Sequence, residues 1–128
     1  SANHADSGYT QQAILMLAKT AVKSQDYDTA LQHLSTLVDT DNDLIAIVAN
    51  MRMASIQFEM GKFKEALNTL DQKTPGEFSG LYSQLRGDIY VADNQIEKAK
   101  EHYKLALSQI SRDSELQSLI NIKLADLN

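Results

Sequence analysis

The densest group of metal-capable side chains in this sequence is Asp39-Thr40-Asp41-Asn42-Asp43. A calcium loop that opens this way needs glycine next, for its sharp turn, and glutamate at its twelfth position as a bidentate ligand. Leu44 and Asn50 stand there instead, so helix capping is the expected role of the run. The histidines are His4, His33 and His102. His33 and His102 each precede a large side chain, Leu34 and Tyr103, at matching points of an internal repeat. That spacing places them about one repeat apart, too far to share a metal ion, and they read as solvent-facing helix residues. No serine occupies a Gly-x-Ser-x-Gly elbow, and the scattered glycines form no phosphate loop. Glu97 and Glu101 lie one turn apart on what reads as a wet helix face. The absence of cysteine removes disulfides, thiolate zinc sites and thiol nucleophiles together. The sequence therefore offers no catalytic residue, no metal site and no cofactor site, and the chain reads as a non-enzyme.

The elements around these residues are helical. The chain has 128 residues, a length expected to form one domain with a modest core. Leu, Ala, Gln, Lys and Glu favour helix by intrinsic propensity. A net charge of −5 argues against nucleic acid, whose binders need clustered Lys and Arg. No apolar run approaches the roughly 20 residues that span a bilayer. The polar opening Ser1–Gly8 reads like the cut edge of a longer chain, compatible with a membrane anchor upstream of Ser1.

Three small residues, Ala18, Ala54 and Gly87, each close a helix-like apolar run, and Ala30, Ala66 and Ala99 follow each of them by 12 residues. Tyr27, Phe63 and Ile96 precede those alanines by three, and Leu34, Leu70 and Tyr103 follow by four. The units recur after 36 and 33 residues, the spacing of a tetratricopeptide repeat (TPR), a helix–turn–helix unit of about 34 residues. Its signature is degraded but present in Leu17-Ala18, Met53-Ala54 and Arg86-Gly87-x-x-Tyr90. The alternative is a generic helical bundle with accidental alanine spacing. Small residues at these points let the first helix (A) and second helix (B) of a unit approach closely.

The pattern predicts an all-α chain, an α-solenoid of about three TPR units with a C-terminal capping helix, in a single domain. The units run over about 8–40, 43–73 and 77–110, and the capping helix over 114–127. The seven helices are expected near 8–24, 27–39, 43–60, 63–71, 77–92, 96–109 and 114–127. Asp41, Asn42 and Asp43 are candidate N-caps. Thr74-Pro75-Gly76-Glu77 has the spacing of a capping box with proline at the first helical position, and Ser114 with Gln117 repeats that spacing. Gly61 and Asn94 suit a left-handed residue between A and B helices; Gln25, in the matching place, suits it less. The last helix repeats the A pattern through Leu124-Ala125 and would cover the final apolar face.

In such a scaffold the A helices line the concave side, through residues three before, one after and four after the small residue. The first unit supplies Leu15, Lys19 and Val22, the second Met51, Ser55 and Phe58, the third Gln84, Asp88 and Val91. Gln12, Val48 and Leu81 lie one turn nearer the N-termini. This lining is mainly apolar, with one cation and one anion, and the Lys, Arg and Asn set of the TPR clamp for a C-terminal carboxylate is absent. Such a lining suits a helix or an unfolded segment of a protein partner. The alternative is that part of it is core, covered by the N-terminal segment or the last helix.

The chain resembles the periplasmic domain of the YfgM-like family, ancillary subunits of the bacterial SecYEG translocon. The resemblance is sharpest over Leu81-Tyr82-Ser83-Gln84-Leu85-Arg86-Gly87-Asp88-Ile89, from Met53-Ala54 through Gly61-Lys62 to Ala66-Leu67, and in Ile122-Lys123-Leu124-Ala125-Asp126-Leu127. Thr74-Pro75-Gly76-Glu77-Phe78 occupies the place of a Gly-Glu-Gly-Phe-like turn and departs from it by its proline, which bears on how the fifth helix begins. The resemblance implies a short cytoplasmic N-terminus, one transmembrane helix and a TPR domain on the periplasmic side of the inner membrane. It implies as partners the translocon, a membrane-anchored periplasmic chaperone of the prolyl-isomerase type, and secreted chains as they emerge. It carries over no catalytic residue. The other reading is a generic cytoplasmic TPR adaptor module of a multiprotein complex.

Overall fold

Three left-handed residues recur at the same place in the chain: Gln25 at φ 59°, Gly61 at φ 77° and Asn94 at φ 62°. Each ends an A helix in the same pair of hydrogen bonds. The left-handed residue donates its N–H to Val22, Phe58 or Val91 (2.9–3.0 Å), and the next residue donates to Ala21, Gln57 or Tyr90 (2.8 Å each). These are Schellman closures, which satisfy carbonyls the helix end would leave open. The chain reverses there and the B helix starts two residues later. Gln25 adopts this conformation without glycine's freedom, so the hairpin imposes the turn on a residue that resists it.

The computed structural model describes residues 8–128; His4 and the rest of residues 1–7 lie outside them. The chain divides after Lys73 into two compact units. The first holds α1 (Gln11–Lys23), α2 (Tyr27–Ser35), α3 (Asp43–Glu59) and α4 (Phe63–Leu70). The second holds a 3-10 turn (Gly76–Phe78), α5 (Ser79–Ala92), α6 (Ile96–Gln109) and α7 (Glu115–Asp126). The described residues thus form seven α-helices and no strand, as the repeat pattern predicts.

Local chemistry explains where these helices start and stop. Thr10, Asp26, Asn42 and Ser114 cap α1, α2, α3 and α7, accepting from Ala13, Thr29, Ile45 and Leu116 at 3.1–3.3 Å. A cap of this kind contributes about 1 kcal/mol. Gln117 does not complete a box with Ser114. Its amide donates to the carbonyls of Leu107 and Ile110 (3.0 and 3.2 Å), closing the end of α6 instead. The expected box at Thr74 does not form either. Gly76 sits at φ 54°, a conformation no α-helix admits; Phe78 donates its N–H to the Pro75 carbonyl (2.9 Å) in a short turn, and α5 starts at Ser79. Helix α2 ends at Ser35, four residues short of its expected end. The Ser35 and Thr36 hydroxyls donate to the carbonyls of Gln32 and His33 (2.7 Å each), drawing the backbone out of the helical ladder.

Ala18, Ala30, Ala54, Ala66, Gly87 and Ala99 are all buried, as the helix-approach argument requires. The residue 16 positions after each A-helix small residue fills the gap: Leu34, Leu70 and Tyr103, all buried. Gly87 is the small residue paired with the largest filler. A Cβ built on Gly87 would overlap the Tyr103 ring, so its tightest neighbour is Tyr103 rather than Ala99. Buried polar groups add specific ties across the α3–α4 and α5–α6 hairpins. Asn50 donates to the carbonyl of Thr69 (2.9 Å), and Ser83 donates to the Gln109 side chain (2.6 Å).

Two stability measurements check this account. Gly87→Ala should destabilise by about 1–3 kcal/mol through overpacking against Tyr103. Tyr103→Leu should relieve much of that cost, so a double-mutant cycle in denaturant gives a coupling rather than additivity. Gln25→Gly should stabilise by on the order of 0.5–1 kcal/mol, the left-handed penalty less glycine's extra chain entropy.

Candidate protein-binding surface

In the first unit the face of α1 that carries Ala18 meets the face of α3 that carries Ile56. A pocket of about 310 Å³ opens between them. Its floor is apolar, from Ala18, Val22, Leu34 and Ile56, and its polar lining comes from Lys19, Arg52 and Ser55. Lys19, Val22 and Ser55 are thus brought together. Leu15 and Val22 also lean on the buried core cluster of this unit. Val48 and Met51 sit half-buried along α3, and Gln12 is exposed on α1. Phe58 tilts at 45° against Phe63 of α4, ring centroids 6.0 Å apart, so it serves the α3–α4 hairpin.

The same positions have a different fate in the second unit. Leu81 is 36% exposed, and Gln84 is half-buried. Val91 packs on the buried cluster of Ala99, Tyr103, Ala106 and Ile120, within the core that α7 completes. Asp88 is engaged on two sides. The Tyr103 hydroxyl donates to it at 2.5 Å, and the Lys123 ammonium of α7 straddles both of its oxygens at 3.0 and 3.1 Å. Lys123 also lies 6.0 Å from the Tyr103 ring centroid. Burial first, then the hydrogen bond and charge of Asp88, hold the Tyr103 phenol far above its ordinary pKa.

The metal-capable residues stay apart. Among the described residues no group of three or more His, Asp or Glu side chains is placed to hold a metal ion. His33 and His102 are half-buried rather than solvent-facing, because the B helices pack closely. His102 stacks on Tyr90, ring centroids 5.2 Å apart at 19°.

Paired helices closed by Schellman turns over small residues are the substance of a tetratricopeptide hairpin, and the profile of the Tetratricopeptide repeat-like domain matches residues 1–128. The chain belongs to that family. It is also similar to proteins named ancillary SecYEG translocon subunit. It is 32% identical over 117 residues to that of Neisseria gonorrhoeae, covering 91% of this chain and 56% of the relative. It is 30% identical over 126 residues to that of Aggregatibacter actinomycetemcomitans, covering 98% and 61%. The chain therefore spans a little over half the length of these relatives. A shorter likeness, 36% over 56 residues, links it to Hsp70-Hsp90 organizing protein 2 of Arabidopsis thaliana, covering 44% of this chain and 10% of that protein. No helix of the described residues is long and apolar enough to cross a membrane.

Two residues escape the sequence pattern: Arg52, which lines the pocket, and Lys123, which pairs with Asp88. Each stands two residues before the small residue of its A-type helix, Ala54 and Ala125. That recurrence is a signal the pattern of three before, one after and four after passes over.

The Tyr103 contact has a pH signature. An unfolded tyrosine ionises near pH 10, whereas the folded phenol keeps its proton to higher pH. Its contribution to stability is therefore intact below about pH 10 and declines as pH rises beyond it. Tyr103→Phe should flatten that alkaline decline and cost about 0.5–1.5 kcal/mol at neutral pH for the lost hydrogen bond. Denaturant melts from neutral to alkaline pH measure both.

Proposed function

We propose that this chain is the protein-docking part of an accessory subunit of the bacterial SecYEG translocon, a scaffold with no catalytic role of its own. The observation that carries the reading is the likeness to ancillary SecYEG translocon subunits over more than nine-tenths of the chain. The fold supports it, since TPR hairpins present side chains of successive A helices on a common face. The pocket between α1 and α3 supplies an apolar site of the size that takes a partner's side chains.

In this proposal the domain lies on the periplasmic side of the inner membrane, tethered by a transmembrane helix outside the present sequence. Its partners there are the translocon, a membrane-anchored periplasmic chaperone and secreted chains as they emerge. The groove candidates Leu15, Lys19, Val22, Val48, Met51 and Ser55 form the docking surface of the first unit, and Leu81 and Gln84 are separate candidates on the second. Phe58, Asp88 and Val91 serve their own units instead, because each is engaged in its own hairpin or with α7.

A photo-crosslinking residue at Ser55, in the intact protein in its native membrane, tests this. The expected products join the subunit to the translocon, to a periplasmic chaperone or to a secreted chain. Products with cytoplasmic proteins alone would overturn the proposal.

A further inference from the structure

The steps from one A-type helix to the next within each unit can be compared position by position. From α5 to α7, the residue after the small residue is Asp88, and the residue two before the next small residue is Lys123. They form an ion pair, and Tyr103 of the B helix donates to the same carboxylate. From α1 to α3, the corresponding residues are Lys19 and Arg52, with Leu34 in the place of Tyr103. Lys19, Arg52 and Leu34 all line the pocket. Where the second unit holds an anion beneath a cation, the first holds two cations over an apolar floor.

Among the described residues no carboxylate is paired with Lys19 or Arg52. Helix α1 has no acidic residue, and α3 has them only at its two ends, Asp43 and Glu59. This cationic pair belongs to a chain whose net charge is −5. Two cations lining one pocket give it a positive rim that favours an anionic ligand.

We propose that the α1–α3 pocket binds a partner polypeptide through an acidic side chain set beside an apolar one. The carboxylate bridges Lys19 and Arg52, as Asp88 engages Lys123 in the second unit, and the apolar neighbour fills the floor of Ala18, Val22, Leu34 and Ile56. Arg52 supplies a planar fork that suits a carboxylate, and Lys19 a point charge. The ligand is Asp or Glu within a segment rather than a chain terminus, because the asparagine that completes the clamp for a C-terminal carboxylate is absent from the residues lining the pocket. This inference rests on the protein-docking reading and specifies its partner chemistry.

The test uses the 128-residue chain and short acetylated, amidated peptides in which Glu follows Leu, with Gln-for-Glu peptides of the same sequence. Backbone and side-chain NMR shifts report where they bind, and fluorescence anisotropy reports how tightly. The Glu peptide should shift the resonances of Lys19, Arg52, Ser55 and Ile56, and bind at least about tenfold more tightly than the Gln peptide. Its affinity should fall with added salt. Lys19→Glu and Arg52→Glu, both at exposed positions, should each weaken it at least about tenfold while leaving thermal melting unchanged.

Equal binding of Glu and Gln peptides, shifts confined to another face, or no binding would overturn the proposal. So would equal binding by a Gln peptide with a free C-terminal carboxylate, which would make a chain end the ligand. Self-association of the chain that Arg52→Glu abolishes would make a second copy the occupant and overturn it as well. Ser55 crosslinking in a Lys19→Glu, Arg52→Glu background separates the two levels of the argument. Undiminished translocon or chaperone products there would leave the docking reading standing and reject the carboxylate site. Loss of those products even in the parent protein would reject the docking reading itself.

Discussion

Close approach of paired helices at a residue with almost no side chain underlies everything else in this protein. Ala18, Ala54 and Gly87 allow it on the A helices, and Ala30, Ala66 and Ala99 on the B helices. Once the backbones are that near, one large residue per hairpin closes the remaining gap. Leu34 and Leu70 do so opposite alanine. Tyr103 does so opposite glycine, where the missing Cβ makes room for the ring. Dense interiors exchange volume in this way, since neither a void nor an overlap is tolerated cheaply.

The position just after the small residue inherits a fixed place beside the neighbouring A-type helix, whatever residue occupies it. That is how one geometric slot serves two purposes. In the second unit it holds Asp88, which ties α5 to the Tyr103 hydroxyl and to Lys123 of α7, so a polar network secures the last helix. In the first unit it holds Lys19, facing Arg52 across a pocket with an apolar floor. The slot is closed by a polar network in one unit and opens on a pocket in the other.

The all-helical class, the pairing of helices and the N-caps Asn42 and Ser114 were legible in the sequence, because caps depend on contacts within a few residues and pairing on a spacing that the repeat prints three times. The failures share a cause of the opposite kind. Thr74-Pro75-Gly76-Glu77 has the spacing of a cap, but the backbone at Gly76 turns left-handed and voids it. Gln25 looks unsuited to a left-handed turn, yet the hairpin around it demands one. His33 and His102 carry polar rings, yet the close packing of their helices half-buries both.

Spacing and residue type alone determined that this chain builds TPR hairpins, because periodicity records which face of each helix must be buried. Only the tertiary structure decided which candidate groove residues meet an open pocket and which are engaged by their neighbours. Lys19, Val22 and Ser55 reach the pocket; Phe58 is taken up by Phe63, Val91 by the α6–α7 core, and Asp88 by Lys123. Those outcomes turn on side chains that lie 5 to 35 positions apart in the sequence, and their meeting is set by the distance between helices, which no repeat spacing encodes.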